Sequence, residues 1–358
     1  MSRMTLHCGA EVADYDGLKA VVLPENHEKF KDVSKGYGTV PHARLVDSIR
    51  TMSRHLLGAG AIERETFGLS GGTIYPGARM FGLFRFNFDS EARTVAKAEV
   101  VEDVQLTDEE EIQRIAEIGD VEEYVPNEAG GDNPPRVAAV MQNPNWNVMD
   151  DDRIFPAMAI RNSYDRSMAV SSALGYDCFI CDNLAISGEV MFSRKHTVNA
   201  LTDTMLTIWG LLDVMKRQYD FDLEYRDAAK KFEITTDRGF EILGKLAGAG
   251  VLALESGKQS QFAMAIQQWK RPSHEVFEPR NLWSLHNAVT FAQRKSGIGS
   301  RLEVGSGATV ACREILGDSW VQKAAEIGRS YKSPTKATLC DLLDVINGLN
   351  QKVAAAAV

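Results

Sequence analysis

The sequence predicts an α+β fold: a mainly antiparallel sheet, helices packed on one of its faces, and a helical C-terminal part. Two observations support this class. Short apolar stretches, several with period-two alternation, gather in residues 75–90 and 136–193, as expected of antiparallel strands. Apolar residues at helical spacing instead mark residues 41–58, 197–218 and most of the chain from about 225 onward.

The first long helix is expected at residues 41–58. Its apolar residues recur at helical spacing: Leu45, Val46, Ile49, Met52, Leu56 and Leu57. Pro41 suits the first turn, where a missing backbone N–H leaves no hydrogen bond unmade, and Gly58 suits the end. The pattern predicts an amphipathic helix with one buried face.

The strand signals follow along the chain. Phe84, Phe86 and Phe88 alternate with Arg85 and Asn87, which predicts a half-buried strand. Further strand candidates are residues 137–141, 157–161, 168–170, 178–181 and 189–192. The polar residues 163–167 predict a hairpin connection between two of these strands.

The later part of the chain is predicted to be helical. A long apolar stripe after His196 indicates a core helix. Residues 236–254 resemble the second helix and following turn of a winged-helix element, with Thr235 or Thr236 as the N-cap. We therefore expect a helical C-terminal part that is winged-helix-like.

The chain of 358 residues is long enough for two domains. We expect an α+β core domain at residues 1–223, with an acidic insert near 100–135, and a mainly helical domain at residues 224–358. Residues 89–132 contain fifteen Asp and Glu against three Arg and Lys. This segment has a net charge of −12, so the rest of a chain with a total of −9 carries +3.

Several classes of protein are not expected. No run of about 18 apolar residues is present, so no membrane span or membrane partner is predicted. The N-terminus lacks the continuous apolar core of a signal peptide. Five cysteines are an odd and sparse set, which is typical of free thiols in a reducing cytoplasm.

No metal or other cofactor is expected. Cys178 and Cys181 form a single CxxC pair with no second ligand pair at zinc spacing, and residues three apart in a strand face opposite sides. Asp165 and Asp182 are suited either to acid–base or Mg²⁺ chemistry, or to pairing with arginines and capping turns. An enzyme is therefore not our leading interpretation, although a metal-dependent nuclease remains a third interpretation.

Basic and amide side chains recur inside the predicted strand region. The candidate nucleic-acid-binding residues are Arg161, Asn162, Tyr164, Arg166, Asn183, Arg194, Lys195 and His196. Arg and Lys contact phosphates, and an aromatic ring stacks on bases, so this composition is typical of a single-strand groove. The alternative is a polar network that fixes the connections between strands.

The same residues resemble a phage- and plasmid-associated family that carries a domain of unknown function (number 932). The shared motifs are Asn162-Ser163-Tyr164-Asp165, Cys181-Asp182-Asn183, Lys195-His196-Thr197 and the segment 282–290. The likeness spans roughly residues 40–295. It implies a gene carried by phages or plasmids and a protein of the bacterial host cytoplasm, and it transfers no catalytic residues.

The leading interpretation is a non-enzymatic protein of phage or plasmid DNA metabolism that binds nucleic acid, with single-stranded DNA annealing or recombination as its role. By analogy with the ring-forming annealing proteins of phages, a homo-oligomer is expected. The alternative is an accessory factor that binds a host or phage protein, such as a host-defence inhibitor or an assembly component, through its acidic segment.

Overall fold

The computed structural model describes residues 11–23, 26, 38–71, 75–88, 153–178, 183–197, 199–254, 260–294 and 301–330. All of them belong to one compact unit. The acidic insert near 100–135, the strand candidate 137–141, Cys181 and Asp182 lie outside the described residues.

The described chain contains one sheet in which each strand pairs in antiparallel fashion with the next. The strands are β1 (Glu11–Ala13), β2 (Ile62–Ser70), β3 (Arg79–Phe86), β4 (Ile154–Ser163), β5 (Val170–Cys178) and β6 (Asn183–Arg194). Their order across the sheet is the order along the chain. Residues 164–169 join β4 to its neighbour β5, which confirms the predicted hairpin connection.

Helices account for most of the remaining described chain. They are α1 (Tyr15–Ala20), α2 (His42–Leu57), α3 (Ala200–Lys231), α4 (Thr236–Gly248), α5 (Gln261–Lys270), α6 (Leu282–Gln293), α7 (Arg301–Leu316) and α8 (Asp318–Ser330). The antiparallel sheet with its helices confirms the α+β class. None of the described helices is both long enough and apolar enough to cross a membrane.

Helices α2 and α3 cover one face of the sheet, as their apolar stripes predict. The shared core includes Leu45, Ile49 and Met52 of α2, Ile208 and Leu212 of α3, and Met80, Phe84, Met158 and Ile160 of the strands. Burial of each such side chain contributes about 1.5–3 kcal/mol, so this interface supplies much of the driving force for folding.

The opposite face of the central strands is buried as well, so the prediction of a half-buried strand around Phe84 is wrong. Arg85, which the alternation places on the solvent side, is only 6% exposed. Its guanidinium lies 3.4 Å from the carboxylate of Asp177 and 3.3 Å from that of Glu63. The alternation of residue types shows which side chains share a face, but it does not show whether partners for a buried charge are present.

The C-terminal helices surround a second core that contains Tyr225, Trp269 and Trp283. Thr235 caps α4 as predicted, since its hydroxyl oxygen accepts a hydrogen bond from the N–H of Arg238 at 3.2 Å. Residues 251–254, after α4, are not a strand, and the winged-helix likeness stays a prediction. Helix α3 runs through the expected domain boundary near residue 223, and the division into two domains also stays a prediction.

Candidate nucleic-acid interface

Seven of the eight predicted contact residues come together at one end of the sheet. They are Arg161 and Asn162 near the end of β4, Tyr164 and Arg166 in the turn that follows, and Arg194, Lys195 and His196 at and beyond the end of β6. The antiparallel register makes them neighbours, because Arg161 pairs with Ser171, which in turn pairs with Ser193.

Asn183 is not part of this group. It pairs with Cys178, whereas Arg194 pairs with Val170 at the other end of the same strand. Strand β5 is nine residues long, so about 26 Å separates these two positions at 3.3 Å per residue. Asn183 is close to Arg194 in sequence, but the two residues lie at opposite ends of the sheet.

Sequence reasoning missed one basic residue at this end, Arg79. It begins β3 and pairs in register with Ser163, the last residue of β4. Its side chain is 43% exposed and donates a hydrogen bond from Nε to Asp165 at 2.8 Å. Arg79 is distant in sequence from the other basic residues, so only the pairing of β3 with β4 reveals that it belongs with them.

We call residues 79–81, 161–171 and 192–197 the basic end of the sheet. They include five Arg and Lys and a single carboxylate, that of Asp165, so their formal net charge is +4. The chain as a whole carries −9. Charge of the opposite sign is therefore concentrated at this end.

Asn162 is fully buried and serves the fold. Its side-chain amide donates hydrogen bonds to the carbonyl of Val40 at 2.6 Å and to Nδ1 of His42 at 2.9 Å. Because Nδ1 accepts, the ring proton of His42 lies on Nε2 and is donated to the carbonyl of Gly77 at 3.1 Å. Burial lowers the pKa of His42 to about 3, so the ring is neutral.

Tyr164 is also enclosed, at 2% exposure. Its ring stacks on that of His42 at 4.0 Å with an angle of 5°, and its hydroxyl oxygen accepts a hydrogen bond from the N–H of His42 at 2.6 Å. Its own N–H donates to the carbonyl of Ala78 at 2.7 Å. We therefore reassign Asn162 and Tyr164 from contacting a ligand to holding the β4–β5 turn against helix α2.

Arg161 is largely buried, at 7% exposure. Its Nε donates to the hydroxyl of Ser171 at 3.2 Å, and that hydroxyl donates to the one of Ser193 at 3.0 Å. The chain of hydrogen bonds crosses three strands and fixes the guanidinium close to the sheet. Arg161 contributes positive charge to the basic end but presents little surface for a contact.

Three of the predicted cations are exposed: Arg166, Arg194 and Lys195. Arg166 adopts a left-handed backbone conformation with φ of 62° at the tip of the turn. The guanidinium of Arg194 lies 4.9 Å from the centre of the Phe192 ring, which restricts its movement. These side chains have the exposure that contact with a ligand requires.

His196 is half-buried, and burial lowers the pKa of its ring although hydrogen bonds with the backbone of Gly38 and Met168 act in the opposite direction. The pKa lies below its ordinary value of 6.5, so most of the imidazole is neutral near pH 7. His196 therefore adds little charge to the basic end at neutral pH.

The carboxylate of Asp165 is held by its own turn and by Arg79. Its carboxylate accepts hydrogen bonds from the N–H of Ser167 at 3.0 Å, from the Ser167 hydroxyl at 2.5 Å, and from Arg79. Burial works to raise the pKa of Asp165, but these hydrogen bonds outweigh it and hold the pKa below its ordinary range. Among the described residues, no group of three or more His, Cys, Asp or Glu is placed to hold a metal ion.

A second polar group lies in the interior between the sheet and helices α3, α6 and α7. We call it the buried polar cluster: Tyr176, Ser187, Gln218, Asp222, Tyr225, His286 and Arg313. Arg313 and Asp222 form an ion pair at 3.1 Å with side-chain exposures of 1% and 0%. Gln218 donates to both Ser187 and Asp222 at 2.9 Å.

His286 occupies the other half of the buried polar cluster. The hydroxyl groups of Tyr176 and Tyr225 lie 3.1 and 3.0 Å from its Nδ1. Burial, with a smaller contribution from the charge of Arg313, lowers the pKa of His286 to about 3. Burial also raises the pKa of nearby Cys312 to about 12. An imidazole with so low a pKa is a weak base, and a thiol with so high a pKa stays protonated at neutral pH, so the two groups are weakly activated for nucleophilic chemistry.

No protein-family model, curated protein or solved structure matches this chain. The likeness to the phage- and plasmid-associated family stays a prediction. The segment 282–290, one of its motifs, forms most of helix α6, and the side chains of His286, Asn287 and Thr290 are buried there. These polar residues serve the interior of the protein.

Proposed function

We propose that this protein binds nucleic acid without cleaving it, through phosphate contacts made by the basic end of the sheet. The observation that carries the proposal is the net charge of +4 over residues 79–81, 161–171 and 192–197 of a chain whose total charge is −9. Arg166, Arg194 and Lys195 are the exposed cations that would make the contacts. Phosphate contacts of this kind supply most of the sequence-independent affinity for DNA.

The size of the surface suits a short stretch of one strand. Four adjacent strands, β3 to β6, contribute to the basic end, and three spacings of about 4.8 Å give a width of roughly 14 Å. Each stacked nucleotide advances the strand by about 3.4 Å along the helix axis, so this width spans roughly four nucleotides. Single-stranded DNA is the form that we expect to bind.

Helix α3 adds a second source of positive potential. It starts at Ala200, five residues after Lys195, and its N-cap residue Asn199 makes no side-chain hydrogen bond to the first turn. The N-terminus of a helix carries about half a positive charge and attracts anions. This contribution supports the proposal but is smaller than that of the side chains.

The test is the binding of a fluorescent single-stranded oligonucleotide over a series of salt concentrations. We expect affinity to fall steeply with salt, and the Arg166→Ala/Lys195→Ala double variant to bind at least tenfold more weakly at low salt. The slope of log K against log salt should decrease by about 0.7 for each phosphate that the variant no longer neutralises. The charge-matched control is Lys216→Ala/Arg217→Ala, on the exposed side of α3.

Three outcomes would reject the proposal: no binding at low salt, binding that is insensitive to salt, or equal decreases in affinity for the two double variants. Light scattering on the same samples measures the oligomeric state. A large oligomer that binds single strands would favour an annealing role. Cleavage of the oligonucleotide in Mg²⁺ that Asp165→Asn abolishes would favour the nuclease interpretation instead.

A further inference from the structure

The Arg79–Asp165 pair combines fixed geometry with exposure. Arg79 uses Nε to contact the carboxylate, and neither of its Nη atoms makes a hydrogen bond to a described residue. The Arg79 side chain is 43% exposed and that of Asp165 is 18% exposed. A guanidinium that donates a hydrogen bond from Nε can still donate from both Nη atoms to the oxygens of a phosphate.

We propose that Arg79 is a further phosphate-contacting residue and that the charge of Asp165 weakens the binding of the phosphate to Arg79. This inference rests on the proposed function, since it concerns the same surface. Asp165 orients Arg79 and at the same time places a negative charge beside the bound phosphate. The carboxylate therefore acts as an internal competitor for the charge of Arg79.

The expected size of the effect follows from Coulomb's law. Two unit charges about 6 Å apart in water repel each other by an amount that weakens binding roughly threefold. Removal of the Asp165 charge should therefore increase the affinity for DNA roughly threefold at low salt. Because exposed charges are screened, the gain should shrink as salt is added.

The experiment compares Asp165→Asn with a matched variant, Asp213→Asn, in the same oligonucleotide assay. Asparagine retains an oxygen that can accept the N–H of Ser167, so the turn keeps one of its hydrogen bonds. Asp213 lies on α3 and faces Arg217 at 4.0 Å, so its substitution changes the total charge equally at a different place. We expect about threefold tighter binding for D165N and no more than a small change for D213N.

A double-substitution cycle tests the role of Arg79. Arg79→Gln should weaken binding, and D165N should give no gain in the R79Q background, because the two residues act on one phosphate. If D165N fails to fold, as judged by circular dichroism, Asp165→Ser serves in its place, since its hydroxyl can also accept from Ser167.

The outcomes separate this inference from the function on which it rests. Equal affinity of D165N and the wild type, equal gains in D165N and D213N, or a gain that persists with R79Q would overturn the inference, while salt-dependent binding by the wild type still upholds the proposed function. Absence of binding by the wild type at low salt would reject both.

Discussion

The basic end of the sheet and the buried polar cluster each contain an arginine–carboxylate pair with nearly the same separation. Arg79 and Asp165 are 2.8 Å apart, and Arg313 and Asp222 are 3.1 Å apart. The side-chain exposures differ: 43% and 18% in the first pair, 1% and 0% in the second. Geometry alone therefore does not distinguish a residue that can bind a ligand from one that supports the fold.

The surroundings of the two pairs explain the difference. The buried pair shares its hydrogen bonds with Gln218 and Ser187, so internal groups satisfy much of its polarity. In the exposed pair, the two Nη atoms of Arg79 make no hydrogen bond to any residue that the structure describes. A buried charge needs its partner to remain folded, whereas an exposed charge can exchange its partner for a ligand.

The largest effect is expected from Asp222→Asn. This variant leaves the charge of Arg313 buried without a compensating carboxylate, and breaking such a pair costs about 3–5 kcal/mol. Urea denaturation measures the free energy of unfolding, with Asp213→Asn as the surface control. If the free energy of unfolding falls by less than about 1 kcal/mol, the buried pair contributes no more to stability than an exposed pair, and the proposed difference between the two pairs is wrong.

The next effect is a dependence on pH. The pKa of His286 falls from 6.5 to about 3 in the folded chain, because burial disfavours the charged ring. The unfolded chain therefore binds more protons below pH 6.5. The stability from the neutral ring is complete above that pH and decreases by up to about 1.4 kcal/mol per pH unit as the pH falls toward 3.

The variant His286→Asn tests this contribution. The amide oxygen of asparagine can accept from a tyrosine hydroxyl, as Nδ1 does, but it does not titrate. Unfolding free energies from pH 7.5 down to pH 5 should decline less steeply in the variant than in the wild type. Parallel curves would show that His286 is not buried as a neutral ring.

A smaller decrease in stability is expected from Asn162→Ala. The substitution leaves the carbonyl of Val40 and the ring nitrogen of His42 without a donor, and unsatisfied buried groups cost about 1–3 kcal/mol. The free energy of unfolding should fall by this amount. If Asn162 instead contacts nucleic acid, the variant would bind more weakly at unchanged stability, and our reassignment would be wrong.

The smallest effect on stability should come from Asp165→Asn. Exposed ion pairs contribute about 0–1 kcal/mol, so the unfolding midpoint should change little. The same substitution should still tighten DNA binding, whereas Asp222→Asn should lower stability without any gain in binding. A destabilisation as large as that of Asp222→Asn would show that the turn depends on the Asp165 charge.

Much of the fold was predictable because local patterns report local structure. The stripe of Leu45, Ile49 and Met52 predicts α2, and the apolar alternation around Phe84 predicts β3. The sequence also predicts that residues 163–167 form a hairpin connection. These features depend on helical and strand periodicity and on turn chemistry, all of which act between residues close in the chain.

The candidate site was less predictable because it depends on pairing between distant segments. Residue patterns alone predicted the α+β class, the main helices, and the basic composition of residues 161–166 and 194–196. The pairing of the strands and the packing of the helices were needed to show that Arg79 joins these residues, that Asn183 does not, and that Asn162 and Tyr164 are buried. Strand register and burial arise from contacts between segments that are far apart in sequence. Local residue patterns therefore do not predict which buried polar group will be hydrogen-bonded inside the protein.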